Sequence, residues 1–221
     1  MADEIVTREE IRAMRRSYGD AGLESLPDDP FEAFALWLKQ AHENTVIVEA
    51  NAMVLSTVTA DSQINTRTVL LKDISDGGFT FFTNYQSRKA HGIELNPNVS
   101  LLFPWYAMER QVSISGVAEK VSAQESDDYF ATRPWGSQIG AWASAQSSHL
   151  ASRAELEQRY EGAAQKWPEG TVVPRPAHWG GYRVTPLNIE FWQGRYSRLH
   201  DRLRYERTTT SGDWELSRYY P

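Results

Sequence analysis

The sequence predicts an α+β fold in which helices flank an antiparallel sheet or barrel, and three features of the 221-residue chain lead there. Residues 51 to 59, 64 to 72, 79 to 83, 99 to 105 and 110 to 121 are short runs with strand character, separated by turn signals such as Asp61-Ser62 and Asp76-Gly77-Gly78. Helical segments punctuate these runs without strict βαβ alternation, which disfavours a doubly wound parallel sheet. Three or four further strands follow from Gly181 to the end.

Taken in order, residues 1 to 30 are polar and end in Leu26-Pro27-Asp28-Asp29-Pro30, which predicts a mobile N-terminal arm ahead of one domain spanning residues 31 to 221. Phe31, Phe34, Ala35 and Leu38 recur at helical spacing, predicting a helix over 31 to 49. Ser87 opens a short helix through Leu95. Ser122 with Glu125, and Ser152 with Glu155, have capping-box spacing and start helices near 123 and 153. The first of these should stop at Arg133, because Pro134 disfavours the α conformation of the residue before it. Pro168, Pro174 and Pro176 make 167 to 178 a loop.

Composition narrows the function. A 41% hydrophobic content suits a single core. The absence of cysteine excludes a disulfide framework, a thiol nucleophile and a cysteine zinc site. A net charge of −6 and a pI near 5.4 argue against a nucleic-acid surface. No apolar stretch approaches the ~20 residues that span a bilayer, so the expectation is a cytoplasmic protein with no membrane partner. His42, His91, His149 and His178 are scattered without ligand spacing, which leaves no metal site. Walker A, dinucleotide-glycine, His-Glu-x-x-His and Gly-x-Ser-x-Gly motifs are missing.

Local basic clusters must therefore serve small anions. If 198 to 202 is extended, Arg198, His200 and Arg202 share one face while Leu199 and Asp201 take the other, with Leu199 directed toward packing. Such a row needs an anion or a carboxylate partner, although spacing alone leaves open a solvated edge strand. Arg67 and Lys72 are separated by an odd number, so a regular strand sends them to opposite faces and two anion sites. Ser87-Arg88-Lys89 offers a helix start with two cations, either an anion site or a solvated turn. Tyr129 and Arg133 share a helix face and Ser137 follows, which is a phosphate cup or ordinary surface packing.

The C-terminal signature tips the balance. Glu190-Phe191-Trp192-Gln193, a four-residue spacer and Arg198-Leu199-His200-Asp201-Arg202 resemble the pyridoxine/pyridoxamine 5′-phosphate oxidases. So do, in order, Arg67-Thr68-Val69-Leu70-Leu71-Lys72, Phe82-Thr83-Asn84, Ser87-Arg88-Lys89, Ser100-Leu101-Leu102-Phe103, Arg110-Gln111-Val112, Arg133-Pro134 with Ser137-Gln138-Ile139-Gly140-Ala141, Gln146-Ser147-Ser148 and Trp179-Gly180-Gly181. The resemblance covers roughly residues 10 to 221.

That resemblance implies a homodimeric split β-barrel with FMN in the cleft between subunits. It implies oxidation of pyridoxine 5′-phosphate and pyridoxamine 5′-phosphate to pyridoxal 5′-phosphate, with O2 as acceptor. Arg67, Thr68, Val69, Leu70, Leu71, Lys72, Phe82, Thr83, Arg88, Lys89, Gln111, Gln146, Ser147, Trp192 and Arg202 would hold the cofactor. Lys72, Tyr129, Arg133 and Ser137 would hold the substrate phosphate, and Arg15, Arg16, Tyr18, Arg198, Leu199 and His200 would complete the substrate site. Arg198 and His200 would be the catalytic pair, orienting the substrate ring and assisting proton loss. The rival readings are a flavin reductase using a nicotinamide donor and a non-catalytic flavin or pyridoxal-phosphate binding protein. Two departures stand out: Phe82 where some relatives have tyrosine, and Tyr219 where relatives commonly have leucine, which puts the packing of the tail in doubt.

Overall fold

The computed structural model describes residues 7–14 and 17–221. Its helices are α1 (Arg8–Ala13), α2 (Pro30–Glu43), α3 (Arg88–Leu95), α4 (Ala123–Thr132), α5 (Trp135–Ala143) and α6 (Arg153–Lys166). Its strands are β1 (Ala52–Val58), β2 (Ile64–Leu70), β3 (Asp73–Ser75), β4 (Gly78–Asn84), β5 (Asn98–Trp105), β6 (Arg110–Lys120), β7 (Trp179–Gln193), β8 (Asp201–Glu206) and β9 (Glu215–Tyr219). Every pairing is antiparallel, in the order β2-β1-β5-β6-β7-β4-β3, with β8 and β9 added at β7. The expected α+β split barrel is what forms. None of the helices among the described residues is long and apolar enough to cross a membrane.

Strand β7 organises the sheet. One edge pairs with β6 along nearly its whole length, while the other meets β4 over 179–184 and β8 over 188–193. The change of partner falls at a bulge, where Ser115 faces Asn188 and Gly116 faces Pro186. Gly116 is required there, since a Cβ would lie 2.7 Å from the Cα of Pro186. At the far edge the chain changes partner again: Leu71 N–H donates to Asn51 and Lys72 N–H to Thr80 on β4, at 2.9 and 2.8 Å. The sheet thereby curls until β2 approaches β4.

The core fills the curl. Alternation along β1 and β5 buries Met53, Leu55, Val99, Leu101, Phe103 and Trp105. Helix α2 closes it, starting at an Asp29 cap with Pro30 in its first turn and laying Phe34 against Phe79, Phe103 and Trp105. A smaller core of Phe130, Ile139, Val173 and Trp179 holds α4 and α5 against the start of β7.

Three expectations change. Helix α2 ends at Glu43 rather than 49, because Asn44 caps Val46 N–H with its side chain and the β-branched run Thr45-Val46-Ile47-Val48 follows. Pro134 ends α4 as expected but also serves as the N-cap of α5, which the sequence reading had as no helix. The arm is anchored from Tyr18 onward: Gly19 N–H bonds Glu109, Leu23 is buried with its N–H on Asp201, and Tyr205 donates to Pro27 O.

Phe34→Ala should cost about 3 to 5 kcal/mol of stability, whereas Leu36→Ala, on the exposed face of the same helix, should stay within about 0.5 kcal/mol. Urea unfolding of the two variants beside the parent checks the contrast.

Candidate active site

The gap between β2 and β4, capped by α3, α4 and α5, is a cleft of ≈ 990 Å³. Arg67, Lys72, Arg88, Lys89 and Arg133 all line it, and among the described residues no carboxylate does. Of the residues expected to hold cofactor or substrate, Thr68, Val69, Leu70, Phe82, Thr83, Tyr129, Ser137, Gln146 and Ser147 line it too. Leu71 does not: it is buried in the core, and its N–H is used by Asn51. Arg67 and Lys72 were expected on opposite faces, yet both reach this cleft, because β2 stops at Leu70 and Lys72 already pairs with β4.

Positive charge here is held by neutral oxygens. Arg67 Nη1 donates to Leu55 O at 3.0 Å and to Thr57 Oγ1 at 2.9 Å. Burial, then the charge of Arg88, lowers its affinity for a proton. Lys89 Nζ donates to Thr83 Oγ1, Gln146 Oε1 and Ser87 Oγ at 3.0, 3.0 and 3.3 Å. Ser87, occupied by that ammonium, does not cap α3 with its side chain. Burial and the nearby Arg67 push Lys89 down to about 8.

On the opposite wall Phe82 stacks on Tyr129 at 4.0 Å and on Trp179 at 5.4 Å. The Phe82 ring is thus the middle plate of an aromatic stack on this wall. Arg133 lies 4.6 Å over the Trp179 ring, and its buried Nη1 has no partner. Asn65 Nδ2, also on the cleft wall, is buried without a partner. Ser147 holds a left-handed backbone at φ 73. Orphaned donors, unpaired cations and a strained residue around one cavity are what an anion-binding site looks like when it is built in advance. Sequence reading missed Asn65, whose only signal is its place two residues before Arg67 on the same strand.

The remaining expected residues gather elsewhere. Gln111 and Trp192 face each other across β6 and β7, and Arg202 pairs with Trp192 across β7 and β8. The His200 ring is 4.6 Å from Trp192 and 5.4 Å from Tyr18, which in turn lies 5.8 Å from Trp192. The alternation expected over 198–202 does not form. Residues 196–198 make a 3-10 turn with Ser197 and Arg198 at φ 56 and 62, and the strand begins only at Asp201. Leu199 is accordingly 69% exposed rather than packed. Arg202 finds a carboxylate: its Nη2 lies 2.7 Å from Glu190, which also takes Arg204 at 2.8 Å. Tyr219 settles the tail by lying under Arg204 at 4.3 Å and donating to Glu206. Arg15 and Arg16 lie outside the described residues.

Trp179 at the cleft and Trp192 at this second cluster sit near opposite ends of β7, roughly 40 Å apart along an extended strand. The cleft and the Trp192 cluster are thus set at the two ends of one long strand.

Lys89 offers a test of the cleft's electrostatics. Its folded proton affinity is depressed, so between about 8 and its ordinary value of 10.5 the unfolded chain binds the proton that the folded one has lost. Ligand-free protein should therefore gain stability from this group as pH rises through that window. The difference in unfolding free energy between parent and Lys89→Met, followed by denaturant titration from pH 7.5 to 10, should grow in the parent's favour.

Comparison with known proteins gives this geometry a lineage. The family model described as pyridoxamine 5'-phosphate oxidase matches residues 38–167, and that described as the pyridoxine 5'-phosphate oxidase C-terminal dimerisation region matches 179–221. The pyridoxine/pyridoxamine 5'-phosphate oxidase of Streptomyces avermitilis is 50% identical over 214 residues, covering 95% of this chain and 95% of the relative. That of Rubrobacter xylanophilus is 52% identical over 202 residues, 90% and 92% of the two chains. Among solved structures, PhzG from Burkholderia lata, in complex with tetrahydrophenazine-1-carboxylic acid, superposes with a TM-score of 0.82 at 30% identity, over 91% of this chain and 100% of that one. A pyridoxamine 5'-phosphate oxidase-related, FMN binding protein from Nostoc punctiforme shares the fold, with a TM-score of 0.70 at 14% identity over 89% and 100%. With its motifs, its open barrel and relatives about half identical along nearly their whole length, the chain belongs to the pyridoxamine 5'-phosphate oxidase family.

Proposed function

We propose that the chain is a cytoplasmic, homodimeric, FMN-dependent oxidase of pyridoxine 5′-phosphate and pyridoxamine 5′-phosphate. The observation that carries this reading is the cleft lined by five cations and, among the described residues, no carboxylate, set far along β7 from the aromatic and imidazole cluster. A second copy can bring its Trp192 end to the first copy's cleft, making two equivalent sites per dimer. The matched dimerisation region, 179–221, contains that end.

The residues present fit a flavin phosphate and a substrate phosphate together. Arg67, Arg88 and Lys89 with Gln146 and Ser147 would hold the cofactor phosphate. Lys72, Tyr129, Arg133 and Ser137 would hold the substrate phosphate, where the free Nη1 of Arg133 has a donor to give. Gln111, Trp192 and Arg202 of the second copy would border the flavin ring. Arg198 and His200 of that copy would lie over the substrate, opposite the flavin, and orient it. When bound, FMN supplies the two-electron chemistry: the substrate's C4′ is oxidised, O2 ends as H2O2, and the amine additionally consumes water and releases ammonia. The chain's contribution is position, charge and exclusion of water.

A shared site predicts complementation. Lys72→Ala and His200→Ala should each be nearly inactive as homodimers, while a purified heterodimer of the two should regain about half the parental activity, from its one intact site. A heterodimer as inactive as its parents would reject the shared site.

The phosphate cup predicts that unphosphorylated pyridoxine is a very poor substrate by oxygen uptake. Arg133→Ala should raise KM for pyridoxamine phosphate by tenfold or more, a loss of about 1.4 kcal/mol or greater, while flavin retention changes little. Equal turnover of pyridoxine and its phosphate would exclude the assignment.

A further inference from the structure

The turn that carries His200 is closed by one carboxylate. Asp201 Oδ2 accepts from Leu23 N–H at 3.0 Å and faces Arg195 Nη1 at 3.4 Å, while Oδ1 takes Arg218 Nη1 at 2.6 Å. Arg195 also pairs with Asp20 at 3.1 Å, and Arg218 Nη2 donates to Leu23 O and Glu24 O at 2.8 and 2.9 Å. A single side chain thus ties the end of the 195–201 turn to its beginning, to the arm that carries Tyr18 and to β9. The turn needs such a clamp, because Ser197 and Arg198 both hold left-handed backbone that non-glycine residues adopt only when their surroundings enforce it.

Inside the turn the Arg195 backbone N–H donates to His200 Nδ1 at 3.0 Å. A backbone N–H can donate only to a ring nitrogen that carries no hydrogen, so the neutral ring must carry its proton on Nε2. A charged ring would set one N–H against another. Burial and the neighbouring Arg198 act in the same direction, lowering the ring's proton affinity.

We propose that Asp201 is a positioning residue: by clamping the 195–201 turn and the Tyr18 arm, it locks His200 as the Nε2–H tautomer, which meets the ligand as a hydrogen-bond donor. The donor half of this proposal rests on the reading above that His200 faces the substrate. The lock does not. Nδ1 is committed to Arg195, so His200 in this state cannot take the proton that leaves the substrate; it offers a hydrogen bond to an acceptor atom on the substrate instead.

The test uses the full-length, FMN-loaded protein labelled with 15N-histidine, with the His200 signals identified by their loss in His200→Gln. Above the ring's titration, Nδ1 should show the shift of an unprotonated nitrogen and Nε2 that of a protonated one. Asp201→Ala should move both toward an averaged tautomer mixture and lower kcat for pyridoxamine phosphate tenfold or more, with flavin retention unchanged. Asp201→Asn, which keeps an acceptor for Leu23 but loses the charge that holds Arg195 and Arg218, should fall between and serves if the alanine variant does not fold. His200→Gln, which keeps an amide donor near the Nε2 position, should retain more kcat than His200→Glu. An Nδ1–H tautomer in the parent, or a tautomer and kcat indifferent to both Asp201 substitutions, overturns the lock. A locked ring in a protein whose turnover ignores His200→Gln, His200→Glu and His200→Ala alike overturns the placement of His200 at the substrate, leaving the lock standing.

Discussion

Strand β7 is 15 residues long, and while one edge stays with β6, the other serves two neighbours in turn, β4 over 179–184 and β8 over 188–193. The Pro186-Leu187 irregularity lies between them. Ahead of it the strand feeds the barrel half, with β4 and the cleft; beyond it the strand feeds β8, β9 and the turn that presents His200. The separation of the two clusters is therefore a property of the backbone, set by Gly116 and Pro186 before any functional side chain is considered. On the shared-site proposal, each site takes one end of β7 from each copy.

The two ends of β7 manage charge in opposite ways. Near the turn, cations are matched: Arg195 with Asp20 and Asp201, Arg202 and Arg204 with Glu190, Arg218 with Asp201. These pairs hold shape, and partly buried pairs with several hydrogen bonds do this better than they add stability. In the cleft none of the five cations has an ion pair among the described residues: Arg67 and Lys89 bond neutral oxygens, Arg133 lies on a ring face, and the nearest influence of a carboxylate is that of Asp61 on Arg88. Where such charge is buried or half-buried, as at Lys89, Arg67 and Arg133, it destabilises the ligand-free protein, and a bound anion reverses that cost. Ligand affinity and fold stability are linked through the same residues.

Much of the fold was legible because local and tertiary preferences agree. The β1, β5 and β6 runs alternate cleanly, Asp76 and Gly77 take the left-handed turn their residue types favour at φ 48 and 68, and Ser122 with Glu125 makes the capping box its spacing announces. The errors share a cause: periodicity fixes a face only while an element continues. Arg67 and Lys72 were sent to opposite faces because the strand was read through Leu71, where the chain in fact changes partner. Arg198 and Leu199 were placed by an alternation that the turn at Ser197 cancels, and nothing in the residue types Ser and Arg announces positive φ. Helix α5 was hidden because Pro134 was read as a terminator when it also begins the next element. The C-terminal signature brings Trp192 and His200 together, while its spacing gave the wrong geometry for Arg198 and Leu199.

Arg198 shows how these constraints converge. It is the cation of the turn with no ion pair among the described residues, it is exposed, and it holds a backbone conformation that a residue of its size avoids. Each of those features is unfavourable alone. Each is also what would result if the turn were shaped to carry a permanent charge outward, beside a neutral imidazole, toward a site on another copy. Behind the turn Arg195 and Arg218 are matched by Asp20 and Asp201, which leaves Arg198 as the turn's cation without an ion pair among the described residues. On this view the ion pairs exist so that one charge remains unpaired, and the cost of its backbone is met by a clamp that also sets the imidazole's proton.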